Sequence, residues 1–406
     1  MPQPLPRLTA AQAAARLGVK PATLYAYVSR GLLSRERTAA GSTFDPLEIE
    51  GFARRARRGE PGQLRRSSSA GGAPLLMLDT DIALIEDDEL YFRGLPAAQL
   101  AAEQGLEAVA AWLWGEQLLT GRRFRLSEAE STTAGSLLAS LPPSASMLDR
   151  IQLAVTGLAA DDPLRYDATA DSLRRVGRRL LLGVPAALAR QRPAEGVSVA
   201  EALWAALGQG PPSAAQLRAL DAALVLVVDH DLAVSTLAAR VAASARGSGY
   251  AVVTAALGAF DSPLHGNASR GAVQLLGSVM AGEEPELAIA LALRDGGRGV
   301  PGFGHAVYRG PDARVAALRP VIDRLPAGPR ALAALDAVAE VVRRRAGAHP
   351  NLDLALAALV LAAGLRQDAG SAIFAIGRMG GWIAHALNEY EQRPLRLRPS
   401  GRYIGP

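Results

Sequence analysis

The histidines of this chain stand in polar segments within mostly apolar surroundings. There are only five, and His305 follows a Pro-Gly-Phe-Gly turn in the segment Val300 to Arg309. The proline and the two glycines predict an unusual backbone path that exposes peptide groups to a ligand and directs the next side chain into a cavity. His230 lies between two aspartates, and His265 stands in a Pro-Leu-His-Gly turn. Imidazoles in such positions can exchange protons or hydrogen bonds with a carbonyl substrate.

Two further ionisable residues lie on predicted helices. Asp353 precedes the apolar run Leu354 to Leu365, so it is either the N-cap of that helix or a carboxylate base at the mouth of a buried helix. His385 lies four residues before Glu389, which predicts an ordinary i,i+4 pair on one helix. No His-x-x-x-His or Glu-x-x-His spacing is present, and we therefore expect no metal site.

Arginines accompany these polar segments. Arg378 lies inside an apolar helix, where an unpaired guanidinium would be unfavourable. Guanidinium groups match planar carboxylates. With the histidines and the carboxylate, the arginines predict a di- or tricarboxylate site with acid–base chemistry next to a carbonyl. The arginines concerned are Arg309, Arg314, Arg378 and Arg398.

The composition excludes several kinds of catalytic chemistry and argues against a membrane or secreted location. The 406 residues contain no cysteine, which rules out thiolate nucleophiles, disulfides and Cys-ligated zinc. The only lysine is Lys20, so neither a P-loop nor a Schiff-base lysine is expected. No apolar run is long enough to cross a membrane, and the N-terminus lacks a signal-peptide core. We expect a cytoplasmic protein.

The elements that must position these residues fall into three parts. Residues 1–58 form a small unit, residues 59–74 have the composition of a linker, and residues 75–406 form a large domain. After a predicted β-hairpin over residues 75–94, Ala- and Leu-rich helices alternate with Pro and Gly breaks. This pattern predicts an all-α fold for the large domain.

The N-terminal unit has the pattern of two short helices, a hairpin and a third helix. Thr9 and Gln12 form a capping-box pattern, Pro21 opens the second helix, and residues 32–44 suit a small hairpin. This order is typical of a winged helix-turn-helix, and the run Ala13 to Tyr25 resembles the DNA-binding domain of the MerR group. The resemblance implies that DNA faces Lys20, Thr23, Tyr25, Tyr27 and Arg30. The alternative is a helical module for contacts between domains or proteins.

Positive charge is concentrated at the end of this unit. The net charge of the chain is +5, and six arginines lie between residues 54 and 66. Such a local cluster predicts an anionic partner better than the overall balance does.

From residue 75 to the end, the chain resembles citrate synthase in a series of short segments. In order, they are Tyr91 to Pro96, Asp229 to Asp231, Pro263 to Gly266, Pro301 to Val307, Pro350 to Asp353 and Gly381 to His385. The resemblance implies a citrate-synthase-like helical domain with a smaller helical subdomain, about residues 271–370, that closes over the cleft. It implies a homodimer in which Arg398 reaches the neighbouring active site, and no cofactor, because the CoA thioester is a substrate.

The resemblance also implies individual roles. Asp353 would remove a proton from the acetyl methyl of acetyl-CoA, His265 would hydrogen-bond the thioester carbonyl, and His305 would polarise the ketone of oxaloacetate. The citryl-CoA formed would be hydrolysed to citrate and CoA. Oxaloacetate would be held by His230, Arg314, Arg378 and Arg398. CoA would be bound by Val300, Pro301, Gly302, Phe303, Gly304 and Arg309.

Two alternatives stay open at this stage. One is a 2-methylcitrate synthase, which would use propionyl-CoA through the same residues. The other is a DNA-binding regulator with a citrate-synthase-like body as its metabolite sensor. The joint presence of His265, His305 and Asp353 favours catalysis, because a sensor needs the arginines but not the base. The chain departs from the family at Asn267, where a glycine is common.

Overall fold

The computed structural model describes residues 5–38, 41–58, 78–126, 132–191, 194–262, 265–266, 268–295, 299–305, 307–308 and 310–405. The predicted linker over residues 59–74 lies outside the described residues, as do Asn267 and Arg309. Within the described residues, no helix is both long and apolar enough to cross a membrane.

The N-terminal unit contains three helices and a small antiparallel sheet. Its elements are β1 (Leu8–Thr9), α1 (Ala10–Leu17), α2 (Pro21–Ser29), β2 (Glu36–Thr38), β3 (Gly41–Phe44) and α3 (Pro46–Arg58). The predicted capping box is confirmed, because the Thr9 side chain accepts from the Gln12 N–H and Gln12 accepts from the Thr9 N–H. The predicted hairpin is confirmed as β2 and β3, and β1 pairs with the other edge of β3. The winged helix-turn-helix assignment stays a prediction.

The prediction that Tyr27 faces DNA is wrong. Its side chain is 6% exposed, and its ring lies 5.1 Å from that of Phe52 in the unit's own apolar core. The cause is the position of Tyr27 on the face of α2 that covers this core. On the same helix, Tyr25 is exposed, as are Lys20 and Arg30 beside it, and Thr23 is half-buried.

The large domain begins with a second small sheet and continues as helices. The sheet is antiparallel, in the order β4 (Ala83–Glu86), β5 (Glu89–Phe92) and β6 (Leu95–Pro96), which confirms the predicted hairpin. The helices of the described residues are α4 (Ala97–Glu103), α5 (Leu106–Leu113), α6 (Thr132–Ala139), α7 (Met147–Ala160), α8 (Ala170–Ala189), α9 (Val199–Leu207), α10 (Ala214–Leu226), α11 (Val234–Ser244), α12 (Gly249–Phe260), α13 (Ala268–Met280), α14 (Pro285–Asp295), α15 (Ala313–Asp323), α16 (Gly328–Ala346), α17 (Leu352–Ala363) and α18 (Ala369–Tyr390).

Helix α18 is the centre of the large core. It packs against α5, α7, α8, α10, α11, α12 and α13, and almost all of its side chains are buried. Glycines of α18 allow the backbone of a neighbouring segment to approach this helix closely. A Cβ added to Gly381 would lie 2.1 Å from the carbonyl oxygen of Val228. The segment that follows α10 is therefore held directly against α18, and this segment carries His230 toward the centre of the molecule.

The N-terminal unit is packed onto the large domain through α3. This helix contacts α14 and α16, and Leu47 belongs to the apolar core of the large domain. A Cβ on Gly51 would lie 2.9 Å from the carbonyl oxygen of Arg345, so the two backbones meet in close contact. An Asp45–Arg345 ion pair of 2.6 Å adds a polar link beside it. The boundaries predicted for the smaller subdomain, about residues 271–370, stay a prediction.

Candidate active site

One cavity of about 620 Å³ brings together most of the predicted site. Its lining includes the three predicted catalytic residues and three of the four predicted oxaloacetate-binding residues, namely His265, His305, Asp353, His230, Arg314 and Arg378. Of the predicted CoA-binding residues, Gly304 lines this cavity, whereas Val300, Pro301, Gly302 and Phe303 do not. Arg398 is exposed and lies outside the cavity.

The turn that carries His305 is tied to the start of α17. An isolated antiparallel bridge joins Phe303 to Pro350, the Gly304 N–H donates to the His349 carbonyl at 3.0 Å, and the Asn351 N–H donates to the Gly302 carbonyl at 2.9 Å. Gly302 and Gly304 both have φ of +80°, which favours glycine. The path is also crowded, because a Cβ on Gly302 would lie 2.7 Å from that of Leu354.

Asp353 lies at the N-terminal end of α17, but it is not the N-cap, so that interpretation is wrong. The cap is Asn351, whose Oδ1 accepts from the Asp353 N–H at 3.0 Å. The Asp353 carboxylate lines the cavity, and among the described residues no hydrogen-bond donor contacts it. Burial raises its pKa to about 6, against the opposing effect of the Arg314 charge, and Asp312 adds to the increase.

The backbone fixes the proton of His305. The Val307 N–H donates to Nδ1 of His305 at 3.0 Å, so Nδ1 is an acceptor and the neutral ring carries its proton on Nε2. Desolvation by the surrounding protein is the main cause that lowers the pKa of His305 to about 4; the charges of Arg314 and Arg378 act in the same direction, and Asp312 opposes them. His305 is therefore a neutral hydrogen-bond donor at physiological pH.

His265 is held between two aromatic rings and a hydroxyl group. Its ring lies 4.8 Å from that of Phe260 and 5.8 Å from that of Phe374, and Nε2 lies 2.8 Å from the Ser235 Oγ. Desolvation and the Arg378 charge lower the pKa of His265 to about 4. Sequence reasoning did not identify Ser235, which is fully buried at the start of α11.

A third imidazole lies next to His305. The ring of His230 lies 4.8 Å from that of His305, and its Nε2 is 3.0 Å from the hydroxyl of Tyr308. The pKa of His230 is lowered well below its usual value, mainly by burial and also by the Arg314 charge. Tyr308 was also missed in the sequence, because no local pattern distinguishes it from a core aromatic residue.

The two arginines of the cavity differ in how they are neutralised. Arg314 is paired with Asp312, with Nε donating to Oδ1 at 2.9 Å and Nη2 donating to Oδ2 at 2.7 Å. Arg378 is 1% exposed, its Nε donates to the Val227 carbonyl, and its Nη1 and Nη2 have no hydrogen-bond partner among the described residues. Desolvation lowers the pKa of Arg378 to about 10, so it is still a cation at neutral pH. A buried cation with two open donor nitrogens fits a carboxylate ligand.

The predicted pairing of His385 with Glu389 is wrong. His385 Nε2 lies 3.0 Å from Asp229 Oδ2, and both side chains are fully buried. Glu389 is instead paired with Arg240 at 3.1 Å and with Arg396 at 2.7 Å. Asp229 and Arg240, which belong to distant segments, replace the local pair because α18 is packed against several other helices. The Asp229–His385 pair anchors the segment that carries His230.

The cavity therefore combines the Asp353 carboxylate, neutral imidazole donors and a buried guanidinium with two open donor nitrogens. This set can remove a proton next to a carbonyl and stabilise the oxygen on which charge develops. No group of three or more potential metal ligands occurs among the described residues.

Comparison with known proteins gives a consistent result. A family model described as "Citrate synthase, C-terminal domain" matches residues 71–400. The chain is 31% identical over 347 residues to 2-methylcitrate synthase 2 of Corynebacterium glutamicum, which covers 79% of this chain and 90% of that protein. It is 28% identical over 357 residues to citrate synthase 2 of Bacillus subtilis, covering 80% and 93%.

The fold is similar to that of solved structures. One is the ternary complex of citrate synthase from Thermoplasma acidophilum with carboxymethyl coenzyme A and oxaloacetate. It superposes with a TM-score of 0.68 over 82% of this chain and 94% of that chain, at 22% sequence identity. At this identity, the likeness is one of fold.

Proposed function

Because the chain belongs to the citrate synthase family, we propose that it condenses acetyl-CoA with oxaloacetate and hydrolyses the citryl-CoA formed to citrate and CoA. It is an acyltransferase enzyme, as the family is. The observation that carries the proposal is the meeting of Asp353, His265 and His305 in one cavity with a buried cation. A metabolite sensor would need the arginines but not a base whose pKa is raised by burial.

The first step is removal of a proton from the acyl methyl group. The Asp353 carboxylate is ionised at neutral pH and, with its pKa near 6, is a stronger base than an ordinary aspartate. When the Ser235 hydroxyl donates to Nε2 of His265, the neutral ring carries its proton on Nδ1. That proton is the donor for the thioester oxygen, on which negative charge develops as the methyl group loses its proton.

The second step is attack of the enol carbon on the ketone of oxaloacetate. His305 donates from Nε2 to the ketone oxygen, because Nδ1 is occupied by the Val307 N–H. Arg378 and Arg314 hold the carboxylates of oxaloacetate, and His230 lies beside the same group. The new carbon–carbon bond turns the ketone into an alkoxide, which takes up one proton as citryl-CoA forms and so balances the proton that Asp353 removed from the methyl group.

Hydrolysis of the citryl-CoA thioester follows the condensation. Until the condensation is complete, water must be excluded from the cavity. We assign this exclusion to closure of the smaller subdomain, about residues 271–370, which contains His305, Arg314 and Asp353. The CoA moiety is assigned to the turn over residues 300–304 and to Arg309, as the resemblance to citrate synthase implies.

The test is release of CoA thiol from acetyl-CoA and from propionyl-CoA in the presence of oxaloacetate. One extra methylene changes discrimination by about 10- to 200-fold in such pockets, so the ratio of the two kcat/KM values separates citrate synthase from 2-methylcitrate synthase. The relative from Corynebacterium glutamicum bears the second name, which is why both substrates are measured. If neither substrate releases thiol while Asp353→Ala still binds oxaloacetate, the result favours the sensor over the enzyme.

We also propose a homodimer in which Arg398 completes the site of the neighbouring subunit. Within one chain, Arg398 is exposed and lies outside the cavity, which is compatible with a role in a second subunit. Mixing inactive Arg398→Ala and Asp353→Asn subunits tests this directly. Hybrid dimers would have one intact site, so activity would recover to about a quarter of the wild-type level. A mixture that stays inactive after subunit exchange contradicts the sharing of Arg398.

A second candidate function concerns the N-terminal unit. Four exposed basic residues lie at the two ends of α2 and in or beside β2, and together we call them the basic surface of this unit; they are Lys20, Arg30, Arg35 and Arg37. We propose that this surface binds DNA, chiefly through its phosphates. Retention on DNA should fall steeply with salt and should be lost in Lys20→Glu/Arg30→Glu, while Glu103→Lys, exposed on α4, retains it. Point variants are required, since a deletion would remove Leu47 from the main core.

A further inference from the structure

The N-terminal unit contributes to the wall behind the active site. The Arg54 side chain of α3 donates from Nη2 to the carbonyl of Gly347 at 3.4 Å. Its Nη1 occupies the space next to Gly304, where an added Cβ would lie only 2.6 Å away. Gly304 itself lines the catalytic cavity and directly precedes His305. One guanidinium therefore contacts both segments that meet behind the cavity.

These two segments carry the proposed electrophilic donor and the proposed base. The Gly304 carbonyl accepts from Nδ2 of Asn351 at 2.9 Å, and the same Asn351 caps α17 by accepting from the Asp353 N–H. A continuous series of contacts thus leads from Arg54 through Gly304 and Asn351 to Asp353. Each step is a direct contact, and the last one ends at the backbone N–H of Asp353, at the start of the helix that bears the carboxylate.

Helix α3 contacts the same turn at its other end. Glu50 is 6% exposed, and its Oε1 lies 3.6 Å from the position of a Cβ on Gly299. The helix is fixed in place by the close approach of Gly51 to Arg345 and by insertion of Leu47 into the main core. Residues 299 and 304 are thus both covered by an element that lies outside the part of the chain matched by the citrate synthase family model.

We propose that Arg54 is a positioning residue of the active site, through which the N-terminal unit holds the turn at Gly304 against the start of α17. Arg54 does not touch the reacting atoms. It acts by keeping His305 and Asp353 in the geometry that the reaction requires, and a small misplacement of such groups lowers the rate strongly. The rate readout rests on the proposed citrate synthase activity, whereas the structural readout below does not.

The experiment compares full-length Arg54→Ala and Arg54→Lys with Arg55→Ala, a matched control in which the adjacent, exposed arginine of the same helix is removed. Hydrogen–deuterium exchange is followed in peptides that cover residues 299–305 and 347–353, since the Gly304 and Asn351 amides bond across the turn. We expect exchange there to be about tenfold faster in Arg54→Ala, unchanged in Arg55→Ala and partly restored in Arg54→Lys.

Steady-state kinetics supply the second readout. For Arg54→Ala, we expect kcat to fall about tenfold with the KM for oxaloacetate within about twofold, and Arg54→Lys to recover part of the rate. Exchange in residues 299–305 equal to that of the control would overturn the proposal, as would faster exchange confined to the N-terminal unit. If wild-type protein releases no thiol, the enzymatic proposal fails, and the exchange result still decides the role of Arg54.

Discussion

Replacing Asp353 by asparagine should abolish activity and at the same time stabilise the fold. The carboxylate is nearly isosteric with the amide, so the cavity keeps its shape while the base is lost. Burial holds the pKa of Asp353 at about 6 against an ordinary value of 3.8. Keeping this group ionised in the folded protein is therefore unfavourable at neutral pH, and the amide removes that penalty.

The size of the effect follows from the change in pKa. A difference of about two pKa units corresponds to about 3 kcal/mol, and remaining contact with solvent through the cavity reduces this to about 2 kcal/mol. The folded state binds the proton more tightly than the unfolded state, so ionisation destabilises wild-type protein as pH rises from about 4 to about 6. The gain in the variant should therefore be full above pH 6 and fall to about a third near pH 4.5.

Urea unfolding of the two proteins at pH 7.5 and pH 4.5, followed by circular dichroism, measures this gain. The matched control is Asp323→Asn, which changes an exposed aspartate of α15 and should leave the unfolding free energy within about 0.5 kcal/mol at both pH values. Thiol release by the Asp353 variant should fall by at least about 100-fold. A gain that is equal at both pH values, or a loss of stability at pH 7.5, would refute the reasoning.

The value of kcat/KM should fall toward acidic pH with a midpoint near 6. Asp353 must be ionised for the reaction, while the catalytic histidines, with pKa values near 4, stay neutral. A midpoint below 5 contradicts this assignment. Arg378→Met should raise the KM for oxaloacetate by at least about 100-fold, because it removes the buried guanidinium whose Nη1 and Nη2 have no hydrogen-bond partner among the described residues. An unchanged KM would exclude Arg378 from substrate binding. Gly381→Ala should lower the unfolding free energy by at least about 2 kcal/mol, since its Cβ would meet the Val228 carbonyl at 2.1 Å. The control Gly258→Ala has open space around its Cβ and should be neutral or stabilising. Equal effects of the two changes would argue against tight packing on α18.

The parts of the fold that local chemistry determines were predictable from the sequence. The capping box of Thr9 and Gln12 and the two hairpins depend on neighbouring residues, and they were found. The face of α2 that Tyr27 occupies depends on Phe52, which is 25 residues away, and it was assigned wrongly. The docking of α3 on α14 and α16 leaves no pattern in either segment, because it depends on shape and on glycine at residue 51.

The candidate site was predictable only where a motif carried it. His230, His265, His305 and Asp353 stand in distinctive polar segments, and the structure brings these four to one cavity. Ser235 and Tyr308 were missed because a single hydroxyl in an apolar stretch gives no signal until its partner ring is located in space. The finding that Asp353 is not the N-cap of α17 likewise needed the side-chain geometry, which shows Asn351 as the cap.

The bridge between Phe303 and Pro350 has a consequence for thermal fluctuations. It fastens together the two backbone segments that lead to His305 and Asp353, while Arg378 belongs to the central helix α18. Any displacement of the bridged piece relative to α18 carries the imidazole and the carboxylate together, so their separation is preserved while their distances from the cation vary. Under the proposed closure of the smaller subdomain, opening of the cavity is then close to a single rigid-body displacement, which a substrate that contacts both walls would reverse.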